Sequence, residues 1–184
     1  MLIPFGILSA AGAGVASGTY ELISTTILGT ATASITFSSL GDYSTTYKHL
    51  QVRAVTRTSH TTTDYLDMRL NGATSFWEHG LEANGSSVSS YNSGGIATSI
   101  AVALVPNSTS TTNSFGGAVV DLLDPYSTTK NKTIRGLGGF GGVNIALRSG
   151  SWASTSSVTS ITLLPSSGAN LVSGSRFSLY GIRG

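Results

Sequence analysis

His49-Leu50-Gln51-Val52-Arg53-Ala54 alternates strictly between polar and apolar side chains. Leu50, Val52 and Ala54 point one way; His49, Gln51 and Arg53 point the other. A period of two is the signature of a β-strand with one face buried and the other wet. The same period recurs around it. Residues 34–38 alternate about Ile35 and Phe37. Leu66, Met68 and Leu70 oppose Asp67 and Arg69, and Asn71-Gly72 follows as a turn signal. Further short runs span 96–105, 115–123, 133–137, 143–147, 158–164 and 176–182. Between them stand turn-forming pairs: Asn84-Gly85, Pro106-Asn107, Asp124-Pro125, Ser149-Gly150 and Ser167-Gly168. No segment carries helical periodicity with caps.

About nine or ten short strands joined by turns predict an all-β protein. Residues 86–95 and 107–113 read as long polar loops, which favours two packed sheets over a tight barrel. The expected architecture is a jelly-roll-like β-sandwich with an extended N-terminal arm: residues 1–18 form the arm and residues 19–184 the sandwich domain.

The arm is expected because MLIPFGILSAAGAGVASG, residues 1–18, holds no charge. A secretory signal needs a positive start, and the first base is Lys48. A membrane span needs about twenty strongly apolar residues, whereas Pro4, Gly6, Gly12 and Gly14 interrupt this one. An amphipathic surface helix needs a charged face. An extended segment remains, with Leu2, Ile3, Pro4, Phe5, Ile7 and Leu8 as the residues that dock it onto a partner or sister subunit. The alternatives are a strand tucked into the chain's own sheet and a targeting segment.

At 184 residues the chain fits one domain and can bury roughly 70 % of its unfolded surface. It has no cysteine, which excludes disulfide scaffolds and thiolate metal sites. Only 10 % of residues are charged, and the abundant Ser and Thr suit outward strand positions. All eight carboxylates precede residue 125, whereas residues 125–184 hold six bases and no acid. These bases are spread along the chain, so they read as scattered strand positions or as a surface for an acidic protein. Direct nucleic-acid binding and a membrane are not expected.

Gly136-Leu137-Gly138-Gly139-Phe140-Gly141 matches the dinucleotide fingerprint in letters only. That motif needs a following helix and a later acid; here a strand follows and no acid lies beyond Asp124. It reads as a loop or hairpin. Trp77-Glu78-His79, with His60, Asp64 and Asp67, offers scattered metal donors without ligand spacing. These read as surface residues. Trp77, His79 and Trp152 are the candidate glycan or partner contacts. No nucleophile elbow exists, and no catalytic residue, cofactor or metal is expected. If the chain were an enzyme, a glycan hydrolase on a sandwich would draw its carboxylate pair from Asp64, Asp67, Glu78 or Glu82.

From Tyr20 onward the chain resembles small β-rich structural proteins of tailed bacteriophages. The resemblance rests on the order of Tyr20-Glu21-Leu22-Ile23, Ile35-Thr36-Phe37-Ser38-Ser39-Leu40, Tyr47-Lys48-His49-Leu50-Gln51-Val52-Arg53, Met68-Arg69-Leu70-Asn71-Gly72, Asn84-Gly85-Ser86-Ser87 and Ser175-Arg176-Phe177-Ser178-Leu179-Tyr180-Gly181-Ile182. It covers about nine tenths of the chain and consists of strand and turn signatures, not site residues. It implies a virion surface protein made in the host cytoplasm, a homotrimer, with the major capsid protein or another virion protein as partner. The expected function is capsid decoration or cement. The alternative is a tail or head fibre domain binding a host-surface glycan.

Overall fold

The computed structural model describes residues 19–93, 97–142 and 144–184. The arm expected over residues 1–18 lies outside the described residues. The described residues form twelve strands and one short 3-10 turn, Leu40–Tyr43. The strands are β1 (Tyr20–Ile27), β2 (Ile35–Phe37), β3 (His49–Thr56), β4 (Asp64–Leu70), β5 (Trp77–Ala83), β6 (Val88–Asn92), β7 (Ile100–Val105), β8 (Gly116–Leu123), β9 (Lys132–Phe140), β10 (Asn144–Trp152), β11 (Ile161–Pro165) and β12 (Arg176–Ile182).

Two antiparallel sheets pack as a sandwich. The larger runs β1-β12-β3-β8-β9-β10-β5-β6 and the smaller β2-β11-β4-β7. The pairing is nested: β1 with β12, β2 with β11, β3 with β8, β4 with β7. Those eight strands alternate between the sheets in pairs. Two hairpins, β5–β6 and β9–β10, widen the larger sheet beyond β8.

The alternation in β3 does what its period dictates. Leu50, Val52 and Ala54 face the core beside Val120, Leu122, Phe177 and Leu179, opposite Met68, Leu70, Ile161 and Leu163 of the smaller sheet. Each of these side chains larger than Ala54 contributes roughly 1.5–3 kcal/mol relative to exposure.

Several stretches differ from their sequence reading: Ser149-Gly150, read as a turn, lies inside β10, and Asp64 and Asp67, read as surface residues, are buried. Residues 88–92, expected within a polar loop, form strand β6. They pair with β5 at the sheet's edge, where Val88, Ser89, Ser90 and Asn92 are open to solvent and only Tyr91 turns its ring against buried Arg148. Gly136–Phe140 are not a loop but the second half of β9; the hairpin turn comes only at Gly141 and Gly142. The cause is the close passage of β7 beneath β9 and β10. A Cβ on Gly136 would overlap the Val102 carbonyl, and one on Gly138 would stand 2.6 Å from the Ala103 Cβ. A Cβ on Gly150 of β10 would stand 2.7 Å from Ile100. These glycines let the two sheets touch through backbone.

Candidate functional site

The outward positions of the larger sheet are unusually apolar. Val119 of β8, Leu137 of β9, Leu147 of β10 and Leu81 of β5 stand side by side in one cross-strand row. They are 40, 51, 48 and 45 % exposed. In the parallel row, Val55 of β3 faces Gly117 of β8, then Gly139 of β9, then Ile145 of β10. Two adjacent glycines between two exposed aliphatics leave a trough of about 630 Å³. Val119 and Leu137 close it on one side, and Phe140 with Asn144 line its other end. Arg53 and Arg176 stand at its β3 margin.

Farther along β5, Trp77 and His79 share the outward parity. They line a shallow groove of about 600 Å³ with Asn92, Ser93, Thr133, Ser149 and Ser151. Trp77 is 55 % exposed. Trp152 does not join them: it packs against the core, its ring 6.5 Å from that of Phe76.

The inward positions of β5 build a different site. Glu78, Gly80 and Glu82 alternate toward the space between the sheets, where Tyr65 and Asp67 of β4 and Tyr91 of β6 meet them. The cavity measures about 420 Å³ and is also lined by Ser89, Ala101 and Ser166. Under it lies Arg148 of β10, 2 % exposed. Its guanidinium carbon sits 4.8 Å from the Tyr65 ring centre and 4.7 Å from that of Tyr91. Glu82 pairs with its Nη2. Stacking between two rings plus an ion pair is how a buried guanidinium is tolerated.

Each carboxylate here has its own anchor. Glu78 accepts the Ala101 backbone N–H at 2.7 Å. Asp67 accepts the Ser99 hydroxyl at 2.5 Å. Burial pushes the Asp67 carboxyl up to about 6; the Ser99 hydrogen bond opposes that rise and the charge of Glu78 adds to it. Burial, with the hydrogen bond to Glu78, pushes the Tyr91 hydroxyl upward as well. Burial thus moves the Asp67 carboxyl toward neutral pH.

Of the four carboxylates considered for catalysis, the structure gathers Asp67, Glu78 and Glu82. It sets Asp64 apart: Asp64 accepts Ser167 N–H at 3.1 Å and the Ser167 hydroxyl at 2.8 Å, fixing the turn after β11. Among the described residues, no three His, Asp or Glu side chains form a metal-binding group.

The bases of the last sixty residues do not gather either. Lys130 pairs with Asp124 at 2.7 Å, Arg135 with Asp121 at 2.8 Å, Arg183 with Glu21 at 3.0 Å, and Arg148 with Glu82. Lys132 turns inward and donates to the Ser127 and Lys130 carbonyls at 2.6 and 3.0 Å. The one-sided charge of the sequence is thus largely cancelled by these pairs, one within the β8–β9 loop and the others between segments far apart in sequence. No family model, no curated protein and no solved structure matches this chain.

Proposed function

We propose that this chain is a non-enzymatic structural protein of a bacteriophage particle. Its role is decoration or cement on the virion surface, bound to the major capsid protein or another virion protein and to copies of itself as a homotrimer. The observation that carries the reading is the row Val119–Leu137–Leu147–Leu81, four half-exposed aliphatics on neighbouring strands. Contiguous apolar surface of this kind marks a protein interface. Its burial is favourable by about 25 cal/mol per Å², less the cost of ordering what covers it. The nested strand order supports a jelly-roll body, and the uncharged first eighteen residues supply an arm that docks on neighbouring subunits.

The test is binding to particles that lack the protein. Deleting residues 2–18 is expected to leave a folded body that no longer binds. Leu147→Asp, outward and half-exposed, is expected to weaken binding at least tenfold with an unchanged melting temperature. Tight binding by both variants overturns the reading.

The groove at Trp77 and His79 favours a second reading, a fibre domain that binds a host-surface glycan. An exposed indole beside Asn and Ser side chains suits a sugar face and its hydroxyls. Glycan-array binding that Trp77→Ala abolishes would establish it; a blank array from a chain that binds particles removes it.

A further inference from the structure

We propose that the Gly117–Gly139 trough on the outer face of the larger sheet receives residues 2–8 of a second copy of this chain. This rests on the assembly reading above and names the surface through which copies join. The trough is floored by backbone: nothing lies within 4 Å above Gly117, and beside it Gly139 lies against the Asn144 carbonyl, which a Cβ there would strike. Val55 and Ile145 wall it three strand spacings apart, about 14 Å, which is room for one extended segment and its side chains. Val119 and Leu137 form an apolar flank.

Leu2-Ile3-Pro4-Phe5-Gly6-Ile7-Leu8 matches that shape. In extended form Ile3, Phe5 and Ile7 fall on one face, a three-residue apolar ridge without a charge. Pro4 suits a segment that does not donate to a ladder.

The geometry of β1 points to a second copy rather than the same one. Tyr20 pairs with Ile182 at one end of the sheet, whereas the trough lies at the level of Ile27 and Arg176, at the other end. Because β1 begins at Tyr20, a segment preceding it would have to turn back over the sheet to reach its own trough. Residues 9–19 span at most about 40 Å, a reach that lets the segment leave its own subunit. Head-to-tail exchange of this kind closes into a ring when the rotation permits, which is how a trimer would form.

The chain contains no cysteine, so introduced thiols report without background. Full-length Phe5→Cys protein is mixed with full-length Leu137→Cys protein under oxidised glutathione, with no particles present. The expected product is a disulfide-linked mixed dimer. Its yield should exceed at least tenfold that from Phe5→Cys with Thr36→Cys, a control on the exposed face of β2. Val119→Cys serves as a second trough position. Equal yields for trough and control overturn the proposal. So does a link that forms only within a single chain carrying both Phe5→Cys and Leu137→Cys. Linkage by a protein that fails to bind particles leaves the arm exchange standing and removes the virion reading; particle binding without linkage does the reverse.

Discussion

Gly80 lies directly opposite Arg148 in the β5–β10 ladder, and a Cβ at Gly80 would stand 2.7 Å from the guanidinium Nη1 and 2.8 Å from Cδ. The missing side chain of one residue is the space that the other occupies. The Tyr65 and Tyr91 rings and the ion pair with Glu82 oppose any move of Arg148 out of that space. Gly80→Ala is expected to lower stability by about 1–3 kcal/mol, the range for overpacking. Gly117→Ala, with open space above it, is expected to stay within about 0.5 kcal/mol of wild type. Urea midpoints of the two variants check this; equal losses would show that Arg148 is not fixed.

Glu82 is the carboxylate that pairs with Arg148. Removing one partner of a buried pair leaves an uncompensated charge, so Glu82→Ala should cost about 3 kcal/mol. Replacing both groups, Glu82→Leu with Arg148→Met, should return stability to within about 1 kcal/mol of wild type, since no charge is then left to desolvate. A double variant as unstable as Glu82→Ala would show that packing, not charge, sets the loss.

Asp67 gives a pH dependence with a definite sign. Its folded carboxyl is raised to about 6 by burial, against an ordinary value near 4 in the unfolded chain. The folded state therefore binds the extra proton between those values. This contribution is fully present below pH 4 and is lost as pH rises through 6, a swing of about 2–3 kcal/mol. Asp67→Asn keeps an acceptor for the Ser99 hydroxyl and removes the titration. The difference in unfolding free energy between wild type and Asp67→Asn should drift against wild type from pH 4 to 7. A constant difference across that range rules the assignment out.

Gly136→Ala should be among the most damaging single changes in the chain. Its Cβ would overlap the backbone carbonyl of Val102, which has no rotamer to relieve the clash. A loss of about 3 kcal/mol or more is expected, or no folded protein, while the outward neighbour Leu137→Ala changes stability little. Circular dichroism melts of both variants read this directly.

The alternation of Leu50, Val52 and Ala54 made the sandwich legible because a strand's inner face is written locally. The glycines of β9 were not legible as strand residues, since the reason for them is β7, distant in sequence and close in space. Strand β6 was hidden for the opposite reason: an exposed edge needs no apolar face, so Ser89, Ser90 and Asn92 look like loop. Asp67, Glu78 and Glu82 could be named as candidates, but only the fold shows that they converge and that Asp64 does not. Arg148 was missed altogether. A signal was present: it occupies the inward parity of β10 between Ala146 and Gly150, where a charge demands a buried partner.

From the nested order of strand pairs an order of formation is expected. Pairing β4 with β7 closes the shortest of the four loops, and β3 with β8 then joins strands already drawn close. The β1–β12 pair, joining the most distant segments, gains least until the inner ladders exist, because long loops cost the most entropy to close. So remote a set of contacts is expected to fold in milliseconds to seconds, with the Tyr20–Ile182 edge the last to acquire protection from hydrogen exchange.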